Sequence, residues 1–460
     1  MKRITCIFMV VCLCLNLTGC RDGGGQGDGQ DAATDSGANV MSQSEAFREA
    51  ERILKKMSLD EKIGQMFVVS IDKLTEGEEP VTGITDELRS AVETYRFGGI
   101  IIGNRNITGV QQLKEMTGTL SGYLDIPMYI GTQEEGGGEN SIAAHNDEIT
   151  ATGYTSPAEM GKNMSEGQLE DTGEVIAKEL SELGFNLNLA PVADVAENAK
   201  AVDADAVSGS AVSVVGEPPR YEKPAKKLSK KKKKKHADAY QKKLQEYNKA
   251  LSDFLAAYQE TVYAESCFSS EEDKVSEAVG AMVKGMHVGR IATVLKTFPG
   301  IASVAEYHKL VETHIDTGLS RLRRVNFEPF AAGIDEGTDF IMVGHVCLSK
   351  IDKETPASLS RTILSDLLRK EMGFEGMIMT EPLDVPVITS QYTVRQAVIK
   401  AVMSGADVIY DPADIDEAFF ALRQAVMFNE IDEKRINQAV LRILQSKLQR
   451  GIYVVDNKKK

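Results

Sequence analysis

Along most of this chain, short apolar runs alternate with longer stretches whose apolar residues recur every three or four positions. The runs are Met66–Val69, Gly99–Ile102, Met128–Gly131, Asn186–Ala190, Ala292–Lys296, Phe340–Val343, Met377–Thr380 and Asp407–Tyr410. Short, largely apolar runs of this kind read as strands buried on both faces. The stretches between them have helical spacing, as at Ile176, Leu180 and Leu183. The same spacing at Ile436, Val440, Ile443 and Leu444 predicts a closing helix over Glu430–Gly451. Ser58-Leu59-Asp60-Glu61 reads as a capping box that opens a helix before the first strand. Strands separated by helices imply a parallel sheet. Eight such units imply a closed (β/α)8 TIM-type barrel; the alternative, an open doubly wound sheet, needs a switch point and usually has fewer units. The barrel is assigned to residues 44–455.

One segment, residues 197–262, breaks the rhythm. Asp203–Pro219 is small, polar and loop-like, followed by Lys226-Lys227-Leu228-Ser229 and an unbroken lysine run from Lys230 to Lys235. After it, Tyr240, Leu244, Tyr247, Leu251, Phe254 and Tyr258 lie on one face of a single helix. The expectation is a Lys-rich helical insertion between the fourth and fifth strands, a disordered basic stretch leading into an amphipathic helix. Two readings stay open. The lysines are a solvated charge run beside a helix that packs on the barrel, or Lys226–Lys235 attaches the protein to a wall polymer rich in phosphate or to anionic lipid headgroups. No aromatic residues interleave the lysines, which argues against a nucleic-acid groove.

Composition changes the picture mainly at the N-terminus. The 460 residues are 42% hydrophobic and 26% charged, which suits one large α/β domain with additions. The formal charge of −15 excludes a general attraction to nucleic acid. Lys2 and Arg3 precede an apolar run, Ile4–Leu17, that ends on Leu17-Thr18-Gly19-Cys20. The run is too short for a stable membrane span and has the form of a secretory signal over residues 1–20. It resembles a bacterial lipoprotein signal, in which Cys20 becomes the lipidated first residue and holds the protein on the outer face of a membrane. An ordinary signal with a chance cysteine is the alternative. Residues 21–43, rich in Gly, Asp, Gln and Ser, form the expected tether. Once the signal is removed, only Cys267 and Cys347 remain beside Cys20, too few for a disulfide scaffold. Cys347 follows an apolar strand and is expected to be a small buried residue. The six histidines are scattered, so neither a metal nor another cofactor is expected.

Several strands end in polar strings, which is where a (β/α)8 barrel builds its active site. These include Gln133-Glu134-Glu135-Gly136-Gly137-Gly138, Ala190-Pro191-Val192-Ala193-Asp194-Val195, Lys296-Thr297-Phe298-Pro299-Gly300 and Thr380-Glu381-Pro382-Leu383-Asp384. With Phe97-Gly98-Gly99-Ile100-Ile101-Ile102, Arg105-Asn106-Ile107, Leu183-Gly184-Phe185-Asn186-Leu187, Pro356-Ala357-Ser358-Leu359-Ser360 and Gly373-Phe374-Glu375-Gly376, they resemble family 3 glycoside hydrolases of the β-N-acetylhexosaminidase type. The resemblance covers about 44–453 apart from the insertion, and implies action on amino-sugar or cell-wall glycans.

It also implies a site. Retaining hydrolysis needs two carboxyl-type groups about 5–5.5 Å apart across the scissile bond. The family's nucleophile is an Asp after the seventh strand, and Glu381 occupies that position. The extra methylene moves the carboxylate by about 1.5 Å, and a misplacement near 1 Å can cost about a hundredfold in rate. Pro382 fixes φ beside it and removes a backbone donor. The family's acid/base is a His–Asp pair in an Asp-Ser-His string. Counted without gaps, that string falls on Tyr307, His308 and Lys309; with a one-residue deletion it falls on Glu306, Tyr307 and His308. In the second register Glu306 would orient His308 for general acid work. Of the residues implied to touch sugar, an Asp has become Gln133, an Arg has become Gly138, both His flanking Phe-Pro-Gly have become Thr297 and Ile301, and a further Arg has become Ser266. Lys296, Asp194 and His345 remain at strand ends. Each has a plainer role available: Lys296 as a cation paired with Asp194, His345 as a satisfied core histidine, Glu381 as a solvent-facing carboxylate. The residues therefore admit a glycosidase using Glu381 with His308 or Glu306, or a degenerate barrel that binds a glycan or a protein partner.

Overall fold

The computed structural model describes residues 41–77, 79–137, 142, 149, 155–196, 230–258, 264–301 and 314–455. The signal segment with Cys20, the tether up to residue 40, Gly138, the basic residues Lys226–Ser229, and Glu306 and His308 lie outside the described residues.

Eight parallel strands form the frame: β1 Phe67–Ser70, β2 Gly99–Ile101, β3 Tyr129–Thr132, β4 Leu187–Asn188, β5 Ala292–Phe298, β6 Phe340–Val343, β7 Met377–Thr380 and β8 Ile409–Tyr410. Each follows its predecessor in space, and β8 pairs back onto β1 through Phe67↔Ile409 and Val68↔Tyr410. Between β7 and β8 the contact narrows to the bridge Met379↔Val408, with Thr380 N donating to Val408 O at 3.1 Å. That bridge closes the barrel. Almost every strand residue is buried, which is why the runs show little alternation. All eight strands lie where the hydrophobic pattern predicts them, with bounds that agree within a residue or two.

The helices start where their caps dictate. Ser42 with Glu45, Ser58 with Glu61 and Thr393 with Gln396 are reciprocal capping boxes opening helices Gln43–Leu54, Leu59–Gln65 and Val394–Ser404. The closing helix, Glu433–Gln449, runs under the N-terminal ends of the strands. There Lys447 Nζ donates to Gln65 Oε1 (2.7 Å), just ahead of β1, and Tyr129 Oη at the start of β3 donates to Ser446 Oγ (2.9 Å).

Two features depart from the sequence reading. The lysine run is not a disordered lead-in: Lys230–Lys235 lie within one described helix, Lys230–Tyr258. Lysine has good intrinsic helix propensity, and exposed ammonium groups project into water along a helix. Lys231–Lys235 are exposed, while Tyr240 and Tyr247 are half-buried. In addition, His314–Ile315 pairs with Cys347–Leu348 as a two-residue ladder beyond the barrel. So short a ladder leaves no readable periodicity. Cys347 is buried as expected.

Candidate active site

Polar side chains converge where the strands end. The loop after β3 is organised by Glu134, whose carboxylate accepts from Gly136 N and Ile142 N, both at 2.9 Å. Its backbone exchanges two 2.9 Å bonds with the Asn188 amide on β4. Gly136 and Gly137 follow with φ of 84° and 52°, a left-handed pair that side chains would strain. This tight turn places Glu135 against the end of β5. Its Oε1 lies 2.6 Å from Lys296 Nζ, with both side chains largely buried, and accepts from Gln133 Nε2 at 2.9 Å. Glu135 is thus the partner of Lys296, and the ion pair anticipated with Asp194 gives way to this one. Glu135 is a site residue that the sequence does not single out, because its partner Lys296 lies far along the chain.

Asp194 is buried one strand away, where its Oδ1 accepts from Ile301 N at 3.1 Å. This bond holds the turn Phe298-Pro299-Gly300, and Gly300 (φ 104°) lies where a Cβ would run into Asn326. The Ala190–Pro191, Lys296–Thr297 and Phe298–Pro299 peptides are cis. Cys267 packs with Val192 and Ala196 nearby. Its burial, and then the charges of Asp194 and Glu135, push the thiol well above its usual range.

Glu381 follows β7, its N–H donating to Val343 O at 3.0 Å. The side chain is half-buried, with Oε1 accepting from Thr297 Oγ1 at 3.3 Å. Thr297 occupies the place of a histidine in the implied motif, and it now touches the carboxyl. Burial pushes the Glu381 carboxyl up to about 8; the Asp194 charge adds to this, while the Thr297 bond and Lys296 oppose it. Below that pH the group is protonated and can donate a hydrogen bond.

His345 lies behind this loop, fully buried. Its Nδ1 is 2.6 Å from Ser358 Oγ and its Nε2 is 2.9 Å from Pro382 O. A carbonyl only accepts, so the tautomer carrying hydrogen on Nε2 fits, with Ser358 donating to Nδ1. The ring thereby fixes the carbonyl next to Glu381. Asp384 turns to the opposite side of the mouth and pairs with Lys73 at 2.7 Å, which also lies 4.0 Å from Asp411. Lys296, Glu135, Gln133, Asp194, Thr297 and Glu381 therefore form one neighbourhood, with His345 supporting it from beneath. As a set they offer one buried ammonium, hydrogen-bonding carboxyls and a hydroxyl, a surface suited to a neutral polyol.

Comparison with known proteins gives this geometry a lineage. Residues 58–216 and 255–446 match the glycosyl hydrolase family 3 N terminal domain. A beta-hexosaminidase of Stenotrophomonas maltophilia (strain R551-3) is 34% identical over 163 residues, covering 34% of this chain and 47% of that protein. Beta-hexosaminidase A of Pseudoalteromonas piscicida is 24% identical over 405 residues, covering 80% of this chain and 56% of its own. The chain thus spans about half the length of these curated relatives. Among solved structures, the beta-N-acetylhexosaminidase from Beutenbergia cavernae DSM 12333 superposes with a TM-score of 0.63 at 22% identity, covering 85% of this chain and 99% of the other. The family 3 beta-N-acetylglucosaminidase from Paenibacillus sp. str. FPU-7 gives 0.64 at 22% identity, covering 88% and 65%.

Proposed function

The chain belongs to glycosyl hydrolase family 3, and from that premise we propose that its barrel binds an amino-sugar-containing glycan, such as a cell-wall fragment, and hydrolyses its O-glycosidic bond weakly or not at all at neutral pH. One observation carries the reading: the carboxyl at the nucleophile position belongs to Glu381, buried against Thr297 and protonated below about 8. A protonated carboxyl cannot attack an anomeric carbon. The side chain is one methylene longer than the Asp that the resemblance implies, which moves the carboxylate by about 1.5 Å. What survives is recognition. Lys296, Gln133 and the protonated Glu381 can donate to sugar oxygens, and Glu135 and Asp194 can accept.

A specific observation also favours residual catalysis, since Glu381 keeps an ionisable oxygen at the C-terminal end of β7. In that second reading Glu381 is the nucleophile and His308, oriented by Glu306, is the acid/base. The discriminating experiment is turnover of chromogenic β-N-acetylglucosaminide and β-glucoside from pH 6 to 9, wild type beside Glu381→Gln, together with calorimetric titration of N-acetylglucosamine oligomers. Binding without Glu381-dependent turnover supports the binder. Turnover that rises toward pH 8 and vanishes in Glu381→Gln establishes the glycosidase. Neither binding nor turnover from folded protein overturns both.

The proposal extends to location. The Leu17-Thr18-Gly19-Cys20 string supports export and lipidation at Cys20, with residues 21–43 as tether. Mass spectrometry of the mature N-terminus tests this; an unmodified Cys20, or cleavage elsewhere, refutes it. The exposed Lys231–Lys235 supports contact of that helix with an anionic wall polymer or lipid headgroups.

A further inference from the structure

A groove of ≈ 1240 Å³ opens at the end of the barrel opposite the candidate active site. Its walls are the helices Gln43–Leu54 and Glu433–Gln449 and the turns that lead into β6 and β7. Four arginines line it, Arg48, Arg369, Arg442 and Arg450, against the carboxylates Asp339 and Glu375.

The charges behind that wall are unbalanced. Asp407 is fully buried and receives three guanidinium groups: Arg369 Nη2 at 2.6 Å, Arg435 Nη2 at 2.9 Å and Arg442 Nη1 at 3.3 Å. One negative charge faces three positive ones in a partly desolvated cluster, where repulsion is only weakly screened. Burial, followed by the neighbouring Arg442 and Arg435, depresses Arg369 to about 10 even with Asp407 in contact. Arg442 uses Nη1 for both Asp407 and the Gln438 carbonyl (3.2 Å), leaving its other two nitrogens outside those bonds. Its side chain is 28% exposed, so it is reachable from the groove while held from behind. Of the two carboxylates lining the groove, Asp339 is already taken by Arg450, Ser446 and Thr293 N, and Glu375 acts on Arg369.

We propose that this groove is a binding site for a phosphate group, held by Arg442 and Arg48 with Arg369 behind them. Planar guanidinium forks in excess over carboxylate match the oxygens of a phosphate ester. The phosphate can come from a lipid headgroup or from a soluble ester. Assigning it to a headgroup rests on the lipid-anchor reading and on the position of Met41, which lines the groove where the proposed tether joins the domain.

The test uses the full chain with Cys20→Ser, so that no lipid is attached. Glycerol 1-phosphate and inorganic phosphate are titrated calorimetrically at constant ionic strength, with chloride as control. Co-sedimentation is measured with vesicles containing phosphatidylglycerol and with vesicles of phosphatidylcholine alone. Gln445→Glu adds a negative charge to the groove wall without removing any of the bonds described here, and Arg48→Gln removes an exposed cation. Lys231–Lys235→Gln controls for the basic helix. The expected result is binding that weakens about tenfold or more in Gln445→Glu with an unchanged melting temperature. Sensitivity with soluble esters as well as vesicles supports a general phosphate site, and sensitivity with vesicles alone identifies the headgroup. Absence of binding to every probe, or binding that only the lysine variant reduces, overturns the proposal. The state of Cys20 in native protein is a separate measurement, so failure of the anchor and failure of the groove are distinguishable.

Discussion

Three buried carboxyls, Asp407 and Asp339 at one end of the barrel and Glu381 at the other, are shifted in opposite directions. At the N-terminal end, burial pulls Asp407 and Asp339 upward, but guanidinium groups overcome it and hold both below the usual carboxylate range. Asp407 has Arg435, Arg369 and Arg442; Asp339 has Arg450, with His287 beside it. At the C-terminal end, Glu381 meets a threonine hydroxyl rather than a guanidinium, and the cost of its burial raises the carboxyl. Carboxylates saturated with cations bind the lower ends of strands to the closing helix and contribute to stability. A carboxyl kept from ionising is a poor structural element and suits a site that waits for a ligand. The division follows the general rule that in these barrels the lower face carries stability and the upper face carries chemistry.

The largest effect expected is at the lower face. Asp407→Ala leaves three guanidinium groups uncompensated and should cost about 3–5 kcal/mol in urea unfolding. A loss below about 1 kcal/mol would end the contrast, because the cluster would then be hydrated rather than clamped.

At the upper face, Glu135→Gln strands the Lys296 ammonium, whose side chain is only 12% exposed, and should cost about 2–3 kcal/mol. Adding Lys296→Met to that variant should restore much of the loss. Strict additivity in the double-mutant cycle would show that the two groups do not act as a pair.

A further test lies in pH dependence, with opposite signs at the two ends. Glu381 is raised to about 8 from 4.5, so the folded state holds its proton where the unfolded chain releases it. Its contribution is full below about 4.5 and is lost as pH rises toward 8; Glu381→Gln should flatten that slope. Lys447, buried under the barrel on Gln65 and over the Tyr129 ring, is lowered by burial from 10.5 to about 7. Its contribution is present above about 10.5 and is lost as pH falls through 7, so Lys447→Met should flatten a slope that rises with pH. Slopes unchanged in both variants would show that neither group titrates as its burial dictates.

The smallest effect is expected from Lys231–Lys235→Gln. Those side chains are exposed, and the unfolding free energy should move by less than about 0.5 kcal/mol. A larger change would mean that the helix supports the barrel.

What could be read in advance follows from how local each signal is. Strand positions were legible because burial on both faces forces continuous apolar runs, and the helix start at Ser58 because a capping box is complete within four residues. Lys296 and Glu381 could be placed at the mouth because Lys296 lies in the last three residues of β5 and Glu381 directly follows β7. The helical state of the lysine run was missed because charge was given more weight than propensity. The role of Glu135 was missed because its partner lies 161 residues away, on β5.

By itself, the amino-acid sequence determined the eight-unit alternation, the barrel it closes into and the family. These are matters of periodicity and of order along the chain. The tertiary structure alone decided which carboxylate meets Lys296, that burial raises the Glu381 carboxyl against the opposing Thr297 bond, that His345 braces the loop beside it, and that one aspartate gathers three arginines under the barrel. Each of these depends on a distance between residues remote in sequence and on how much water remains around them, and neither quantity is written in the order of the residues.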